Sequence, residues 1–106
     1  MDKKYLDLND LGCYKRALSL SNYVWGIVIK WDWFAKRTVG IQFVTAIDSI
    51  SANIAEGFGR YSKKDKVKFY YYSFGSVKEG TDWNEKAKIR KILTEPQHTH
   101  LSLIHI

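Results

Sequence analysis

The chain has few residues that interrupt or cross-link a helix. Its 106 residues include one proline, Pro96, and one cysteine, Cys13. Proline removes a backbone donor and clashes with the preceding turn, so nothing of this kind prevents long helices before Pro96. A single cysteine excludes an internal disulfide framework and fits a reducing compartment.

Long apolar runs are also missing. The longest candidate, residues 23–33, contains Lys30 and Asp32 and is shorter than the roughly 18 residues of a membrane span. Met1 to Lys4 are not followed by the apolar core of a signal peptide. With 45% hydrophobic and 26% charged residues, the composition is that of a folded domain. We therefore predict one cytoplasmic domain with no membrane partner.

Catalytic and metal-ligating patterns are scarce. The three histidines, His98, His100 and His105, lie near the C-terminus, and two histidines alone are a weak metal signal. Cys13 has no histidine near it in sequence, and neither standard phosphate-binding glycine loop occurs. The sequence predicts no catalytic residue, no metal site and no cofactor, and the protein is interpreted as non-enzymatic.

What the chain does have is apolar residues at the spacing of bundle helices, in alternating steps of four and three. This spacing predicts a helix over 10–31, a second over 39–57 with Thr38 as N-cap, and a third over 63–91. Ser62 followed by Asp65 has the spacing of a helix start.

Four of the seven glycines lie at the end of the second predicted helix or inside the third. Gly57 and Gly59 are predicted to end the second helix, because glycine adopts the left-handed conformation at low cost. Gly75 and Gly80 lie inside the third helix, where each costs about 1 kcal/mol relative to alanine. We interpret Gly75 as a position of close packing, while the sequence offers no reason for Gly80.

The C-terminal segment starts a fourth helix and then loses the apolar pattern. Thr94-Glu95-Pro96 supplies a cap, an acid and a first-turn proline. The last six residues, Leu101 to Ile106, match one translated frame of a transposon-end adapter used in sequencing libraries, although a genuine apolar tail stays an alternative. We predict a helical domain over 1–95 and a non-native or disordered tail over 96–106. The predicted fold is all-α, an antiparallel up-down four-helix bundle that lacks most of its fourth helix and leaves an apolar seam uncovered.

The net charge of +6 is concentrated in one part of the chain. Residues 60–91 contain ten basic and four acidic residues, which accounts for the whole excess. Cations at a helix start oppose the helix dipole, but together with free backbone N–H groups they suit a phosphate. A solvated helix face is the alternative. The candidate nucleic-acid-binding residues are Arg60, Lys63, Lys64, Lys66 and Lys68.

Aromatic residues follow these lysines. Tyr70, Tyr71 and Tyr72 offer rings on which bases stack, although packing in the core or an interface is the favoured interpretation. The tryptophans, Trp25, Trp31, Trp33 and Trp83, are likewise interpreted as core or interface anchors.

Polar residues at helical spacing form a second candidate group. A separation of three residues places the members of each pair on one helix face. Two glutamates also permit general acid–base chemistry, but a structural role is favoured. The predicted structural polar cluster between the second and third helices is Asn53, Glu56, Ser76 and Glu79.

The most specific motif lies between Ser51 and Ser62. Asn53-Ile54-Ala55-Glu56-Gly57, followed by Gly59-Arg60, resembles the signature of the 23S rRNA intervening-sequence proteins, also called the four-helix bundle protein family. Supporting matches are Gln42, Asp48-Ser49-Ile50, Phe69, Gly75-Ser76 and Glu79.

The resemblance implies a bacterial antiparallel four-helix bundle that assembles into a homo-oligomeric pentameric ring. Some members of the family are encoded inside insertions within 23S ribosomal RNA genes. A related branch serves diversity-generating retroelements, where a basic ring engages a reverse transcriptase and nucleic acid. This chain departs from the family at Val44 and Thr45, where a basic pair is common.

Two functions stay open at this point. The leading hypothesis is a non-enzymatic oligomeric helical-bundle protein associated with RNA, other nucleic acid or a ribonucleoprotein. The alternative is a protein-interaction scaffold, such as a reverse-transcriptase accessory subunit of a diversity-generating retroelement.

Overall fold

The computed structural model describes residues 7–102, and over this range the chain is helical with no strand. This confirms the prediction of an all-helical bundle. Within the same range no helix is long and apolar enough to cross a membrane. A 3-10 turn, Leu8–Asp10, precedes helix α1, Gly12–Val28. Helix α2 covers residues 33–58. It begins with Trp33–Ala35, continues through a π-helical turn at Lys36–Gly40, and ends with Ile41–Phe58. Helix α3 is Lys63–Ile89, and helix α4 is Glu95–Ser102.

The start of α2 differs from the prediction. Asp32 is the N-cap, and its carboxylate accepts a hydrogen bond from the Ala35 N–H at 2.9 Å. Thr38 lies inside the helix, where its hydroxyl donates to the Phe34 carbonyl at 2.7 Å. The prediction of Thr38 as N-cap is therefore wrong, because the stronger cap at Asp32 starts the helix a turn and a half earlier. At α3 the predicted cap is confirmed, since Ser62 Oγ accepts from the Asp65 N–H at 3.1 Å.

Consecutive helices run in opposite directions. Ser21 Oγ donates to the Ile47 carbonyl at 3.4 Å, and further along α1 Val28 faces Gly40. Residue numbers therefore increase along α1 in the direction in which they decrease along α2. Ser73 Oγ donates to the Ile50 carbonyl at 2.9 Å and ties α3 to α2. The core between these helices is apolar, and its largest fully buried side chains are Phe43, Ile50 and Val24.

Glycines allow α3 to lie close to α2. A Cβ added at Gly80 would lie 2.5 Å from Ile47 Cδ1, whereas one at Gly75 would meet nothing within 4 Å. Close packing therefore occurs at Gly80, and the interpretation of Gly75 is wrong. Gly57 is buried inside α2, and no glycine among residues 7–102 has a positive φ. The predicted left-handed glycine stop is wrong as well, since Gly59 has φ −79°.

Helix α3 ends instead on a left-handed lysine. Lys91 has φ 61°. Its N–H bonds the Lys88 carbonyl at 3.0 Å, and the next N–H, of Ile92, bonds the Ala87 carbonyl at 3.0 Å. These two bonds form a Schellman motif, in which glycine normally holds the left-handed position.

Helix α4 packs along α3 in the antiparallel direction. His98 Nε2 lies 2.6 Å from Glu85 Oε1, and Asn84 Nδ2 donates to Ser102 Oγ at 3.3 Å. Leu101 is 8% exposed and joins the core. The helix thus reaches well into the segment predicted as a tail. The non-native origin of that tail stays a prediction, and residues 103–106 lie outside the described range.

An apolar groove of about 370 Å³ opens beside the end of α4. Leu101 and Ser102 of α4 line this groove, and the uncovered seam expected from the sequence stays a prediction. The Asn84 Oδ1 atom of its lining is buried and has no hydrogen-bond partner within the described part of the chain. The apolar lining comes from all four helices and includes Leu20, Phe43, Ile47, Ile50, Phe74, Val77 and Leu101.

Candidate nucleic-acid interface

Basic side chains gather at both ends of the molecule, which is 48 Å long. Because α2 and α3 are antiparallel, the end of α2 and the start of α3 share one end of the bundle. The start of α2 and the end of α3 share the other. The Arg60 end is the set predicted from the sequence, Arg60, Lys63, Lys64, Lys66 and Lys68. The tryptophan end, which sequence reasoning missed, comprises Lys30, Trp33, Phe34, Lys36, Arg37, Arg90 and Lys91.

Two cations of the Arg60 end hold the turn between α2 and α3. Arg60 Nη2 lies 2.6 Å from Glu56 Oε1, and its guanidinium lies 4.6 Å from the centre of the Phe69 ring. Lys66 Nζ donates to the Phe58 carbonyl at 3.0 Å. That carbonyl belongs to the last turn of α2, where carbonyls lack helical partners and attract cations. Arg60 and Lys66 therefore have structural contacts.

The other three cations of this end face outward. Lys63 and Lys64 are exposed in the first turn of α3, and within residues 7–102 their side chains have no hydrogen bond or ion pair. Lys68 Nζ lies 5.8 Å from the Phe69 ring centre, which is a weak contact for an exposed cation. Tyr71 lies three residues after Lys68 and is 70% exposed. Because residues three and four apart share a helix face, Lys64, Lys68 and Tyr71 line one side of α3.

Two members of the predicted polar cluster make hydrogen bonds within their own helix. Asn53 Nδ2 donates to the Ser49 carbonyl at 2.8 Å, and Ser76 Oγ to the Tyr72 carbonyl at 3.2 Å. Glu56 pairs with Arg60, and Glu79 is exposed. A cluster that joins α2 to α3 through these side chains stays a prediction.

The tryptophans divide into two groups. Trp31 and Trp83 are partly buried against the core, where the Trp31 and Phe43 rings are stacked with centres 6.5 Å apart. Trp25 and Trp33 are instead 56% and 71% exposed. The interpretation as core anchors therefore applies to the first pair only.

Comparison with known protein families identifies the family of this chain. A family model described as 23S rRNA-intervening sequence protein matches residues 9–104, which is most of the chain. The chain belongs to this family. The resemblance inferred from the Ser51–Ser62 region is thereby confirmed. No protein with a curated description matches the chain.

The tryptophan end carries cations that have no ion-pair partner among the described residues. The Arg37 guanidinium lies 5.2 Å from the Trp33 ring centre. Lys36, Arg90 and Lys91 are exposed, and none has a side-chain hydrogen bond or ion pair with another described residue. The sequence did contain a signal for this end. Asp32 is a good N-cap, and reading residues 32–37 as a helix start would have placed two rings and two cations on its first turns.

Proposed function

We propose that this member of the family is a non-enzymatic, oligomeric protein of the cytoplasm that binds RNA. The contact is made by the outward-facing part of the Arg60 end. The observation that carries the proposal is the single face of α3 that presents Lys64, Lys68 and Tyr71, with Lys63 beside it in the first turn. Proteins that bind single-stranded nucleic acid usually combine cations that contact its phosphate backbone with aromatic rings on which its bases stack.

The position of these lysines supports an anionic ligand. Each cation in the first turn of a helix costs about 0.3–1 kcal/mol against the helix dipole when it has no anionic neighbour. Lys63 and Lys64 lie in the first turn of α3, where Asp65 offsets part of this cost. A phosphate would reverse this cost and would also meet the free N–H groups of the turn. Arg60 and Lys66 then serve to fix the turn that presents the site.

An uncharged stripe on α1 supports oligomerisation. Leu18, Asn22, Trp25 and Ile29 lie at steps of four and three on one face, and all four are exposed. Exposed apolar stripes without charge are typical of protein interfaces. A second copy of the chain is the proposed occupant, and the pentameric ring follows from the family resemblance.

The second candidate function is a protein-interaction scaffold, such as the accessory subunit of a reverse transcriptase. It is favoured by apolar side chains on α3, since Val67 and Phe74 are also exposed. A polymerase seated on this face would cover Tyr71 as well. Binding of protein and of RNA would then compete.

The test of RNA binding is fluorescence anisotropy with single-stranded RNA over a range of salt concentrations. The variant is Lys63→Gln with Lys64→Gln and Lys68→Gln. We expect weaker binding and a log–log salt slope that is flatter by about 0.7 for each lost contact. The matched control is Lys78→Gln with Lys86→Gln and Lys88→Gln, which removes the same charge from lysines of α3 that already contact a ring or an acid. An unchanged slope in the first variant, or equal losses in both, would overturn the site.

Oligomerisation is tested by analytical ultracentrifugation. We expect a mass above that of one chain for the wild-type protein and a lower mass for Trp25→Glu, because the charge is placed in the middle of the uncharged stripe. A wild-type protein that sediments as a monomer at all concentrations contradicts the proposal.

A further inference from the structure

We propose that the tryptophan end is a second, separate contact for single-stranded RNA, in which the bases stack on exposed rings. This inference rests on the proposed RNA function but not on the Arg60 end. It assigns different tasks to the two ends: phosphate contact at the start of α3, and base contact at the start of α2.

The first observation is the exposure of two adjacent rings. Trp33 and Phe34 are 71% and 70% exposed. They follow the Asp32 cap directly, at the first two positions of α2. A helix start needs no aromatic residue there, because the cap and the backbone bonds already form it. The Arg37 guanidinium stands 5.2 Å from the Trp33 ring centre, so a ring and a cation occupy one site together.

The second observation is a groove that one of these rings, Phe34, helps to line. Its volume is about 610 Å³, within the range of roughly 300–1,000 Å³ that holds small ligands. Phe34 and Trp83 provide apolar rings, and Arg90 provides a guanidinium that can stack on a base or pair with a phosphate. Thr38 and Gln42 also line it. The Gln42 amide can donate to and accept from the edge of a base, and the Thr38 hydroxyl, whose proton is given to the Phe34 carbonyl, can accept.

The third observation is the charge of the surroundings. Lys30, Lys36, Arg90 and Lys91 are exposed, and within the described range none has a side-chain hydrogen bond or ion pair. Asp32 is the acid nearest in sequence to Lys30 and Lys36, and its carboxylate accepts the Ala35 N–H. The acids nearest in sequence to Arg90 and Lys91 have other partners, since Glu95 lies 3.8 Å from Lys88 Nζ and Glu85 lies 2.6 Å from His98 Nε2. A second copy of this chain would bring like charges together if it docked here end to end. A polyanion is complementary to the same surface.

The left-handed backbone conformation of Lys91 also supports a binding site at this end. A left-handed conformation is costly for a residue with a side chain, and glycine would avoid the cost at φ 61°. The chain instead keeps a cation there, beside Arg90 at the end of α3. Conformations of this kind cluster at functional sites.

The test compares two double variants at the same positions. Trp33→Leu with Phe34→Leu removes the rings but keeps apolar bulk, and Trp33→Tyr with Phe34→Tyr keeps the rings. Binding is measured by anisotropy with a single-stranded RNA and with the blunt duplex of the same sequence. We expect the leucine pair to weaken single-strand binding by about tenfold or more, with the salt slope unchanged because no charge is removed. The tyrosine pair should retain most of the affinity, and duplex binding should be the same in both variants.

The outcomes separate this inference from the proposed function. If the wild-type protein binds no RNA, both fail. If lysine variants of the Arg60 end flatten the salt slope while the leucine pair binds like wild type, only this inference is overturned. An equal loss of single-strand and duplex binding also overturns it, because stacking requires unpaired bases. A change in sedimenting mass of the leucine pair without a loss of RNA affinity would identify the end as a protein interface and overturn the inference.

Discussion

The two ends of this bundle are both basic, yet their cations are used differently. At the Arg60 end Arg60 pairs with Glu56 and Lys66 donates to the Phe58 carbonyl, so these two side chains help to build the fold. At the tryptophan end the exposed cations Lys36, Arg90 and Lys91 have no side-chain hydrogen bond or ion pair within residues 7–102. Charge alone therefore does not identify a ligand surface. The contacts that each cation already makes decide whether it is available.

The two ends also differ in how far some of their aromatic side chains are exposed. The Phe69 ring of the Arg60 end is partly buried and lies against Arg60 and Tyr72. Trp33 and Phe34 at the tryptophan end are largely exposed. The Phe69 ring thus takes part in packing, whereas Trp33 and Phe34 face solvent, as Tyr71 does on α3.

The close packing of the Arg60 end provides the largest expected effect. A Cβ at Gly57 would lie 3.1 Å from Phe69 Cβ and 2.9 Å from the Tyr70 ring. We expect Gly57→Ala to lower the free energy of unfolding by about 1–3 kcal/mol, because α2 and α3 must separate to accommodate the methyl group. Urea unfolding followed by circular dichroism measures this. The control is Gly75→Ala, which meets nothing within 4 Å and should raise stability by up to about 1 kcal/mol. Equal effects of the two variants would show that the Arg60 end is not tightly packed.

The conformation of Lys91 allows the opposite change at the tryptophan end. We expect Lys91→Gly to raise the free energy of unfolding by about 1 kcal/mol, because glycine takes the left-handed conformation without the cost of a side chain. Lys91→Ala removes the same charge but keeps the strained conformation at φ 61°, so it should show no gain. Thermal melting of the three proteins distinguishes these cases. A gain in Lys91→Ala equal to that in Lys91→Gly would attribute the effect to charge.

Replacing one lysine at each end tests the difference in their use. We expect Lys66→Gln to lower the free energy of unfolding by about 0.3–1 kcal/mol, since its ammonium group contacts the last turn of α2. Lys36→Gln should change it by less than about 0.5 kcal/mol, because an exposed side chain without a partner is removed. The free energies of unfolding of both variants are measured by urea unfolding under the same conditions. A larger loss for Lys36→Gln would reverse the assignment of structural and available cations.

The smallest expected effect concerns the ion pair of Arg60. The side chains of Arg60 and Glu56 are 42% and 54% exposed, so solvent screens their attraction. We therefore expect Glu56→Gln to lower the free energy of unfolding by less than about 0.5 kcal/mol. The same variant removes an acid from the Arg60 end, and we expect a modestly higher affinity for single-stranded RNA at low salt. Glu79→Gln, which removes an exposed acid of α3, is the control. A stability loss above about 1 kcal/mol would show that the pair is essential to the turn.

Local interactions determined most of what the sequence predicted correctly. The Ser62 cap of α3 is a contact over three residues, and helical periodicity is likewise a property of neighbouring positions. The family signature is a short continuous block. The start of α2 also depends on a local contact, because the Asp32 carboxylate accepts the Ala35 N–H three residues away. Asp32 and Thr38 are both capping residue types, and the stronger of the two caps the helix.

Only the tertiary structure decided the features that depend on a second helix. Gly80 is required by the approach of Ile47, which is distant in sequence, while Gly75 meets nothing. The antiparallel path of α2 and α3 brings Phe34 and Arg90 to one groove, although more than half the length of the chain separates them. Sequence patterns report which face of a helix is apolar, but the burial of a glycine or the availability of a cation depends on which neighbour the fold places against it.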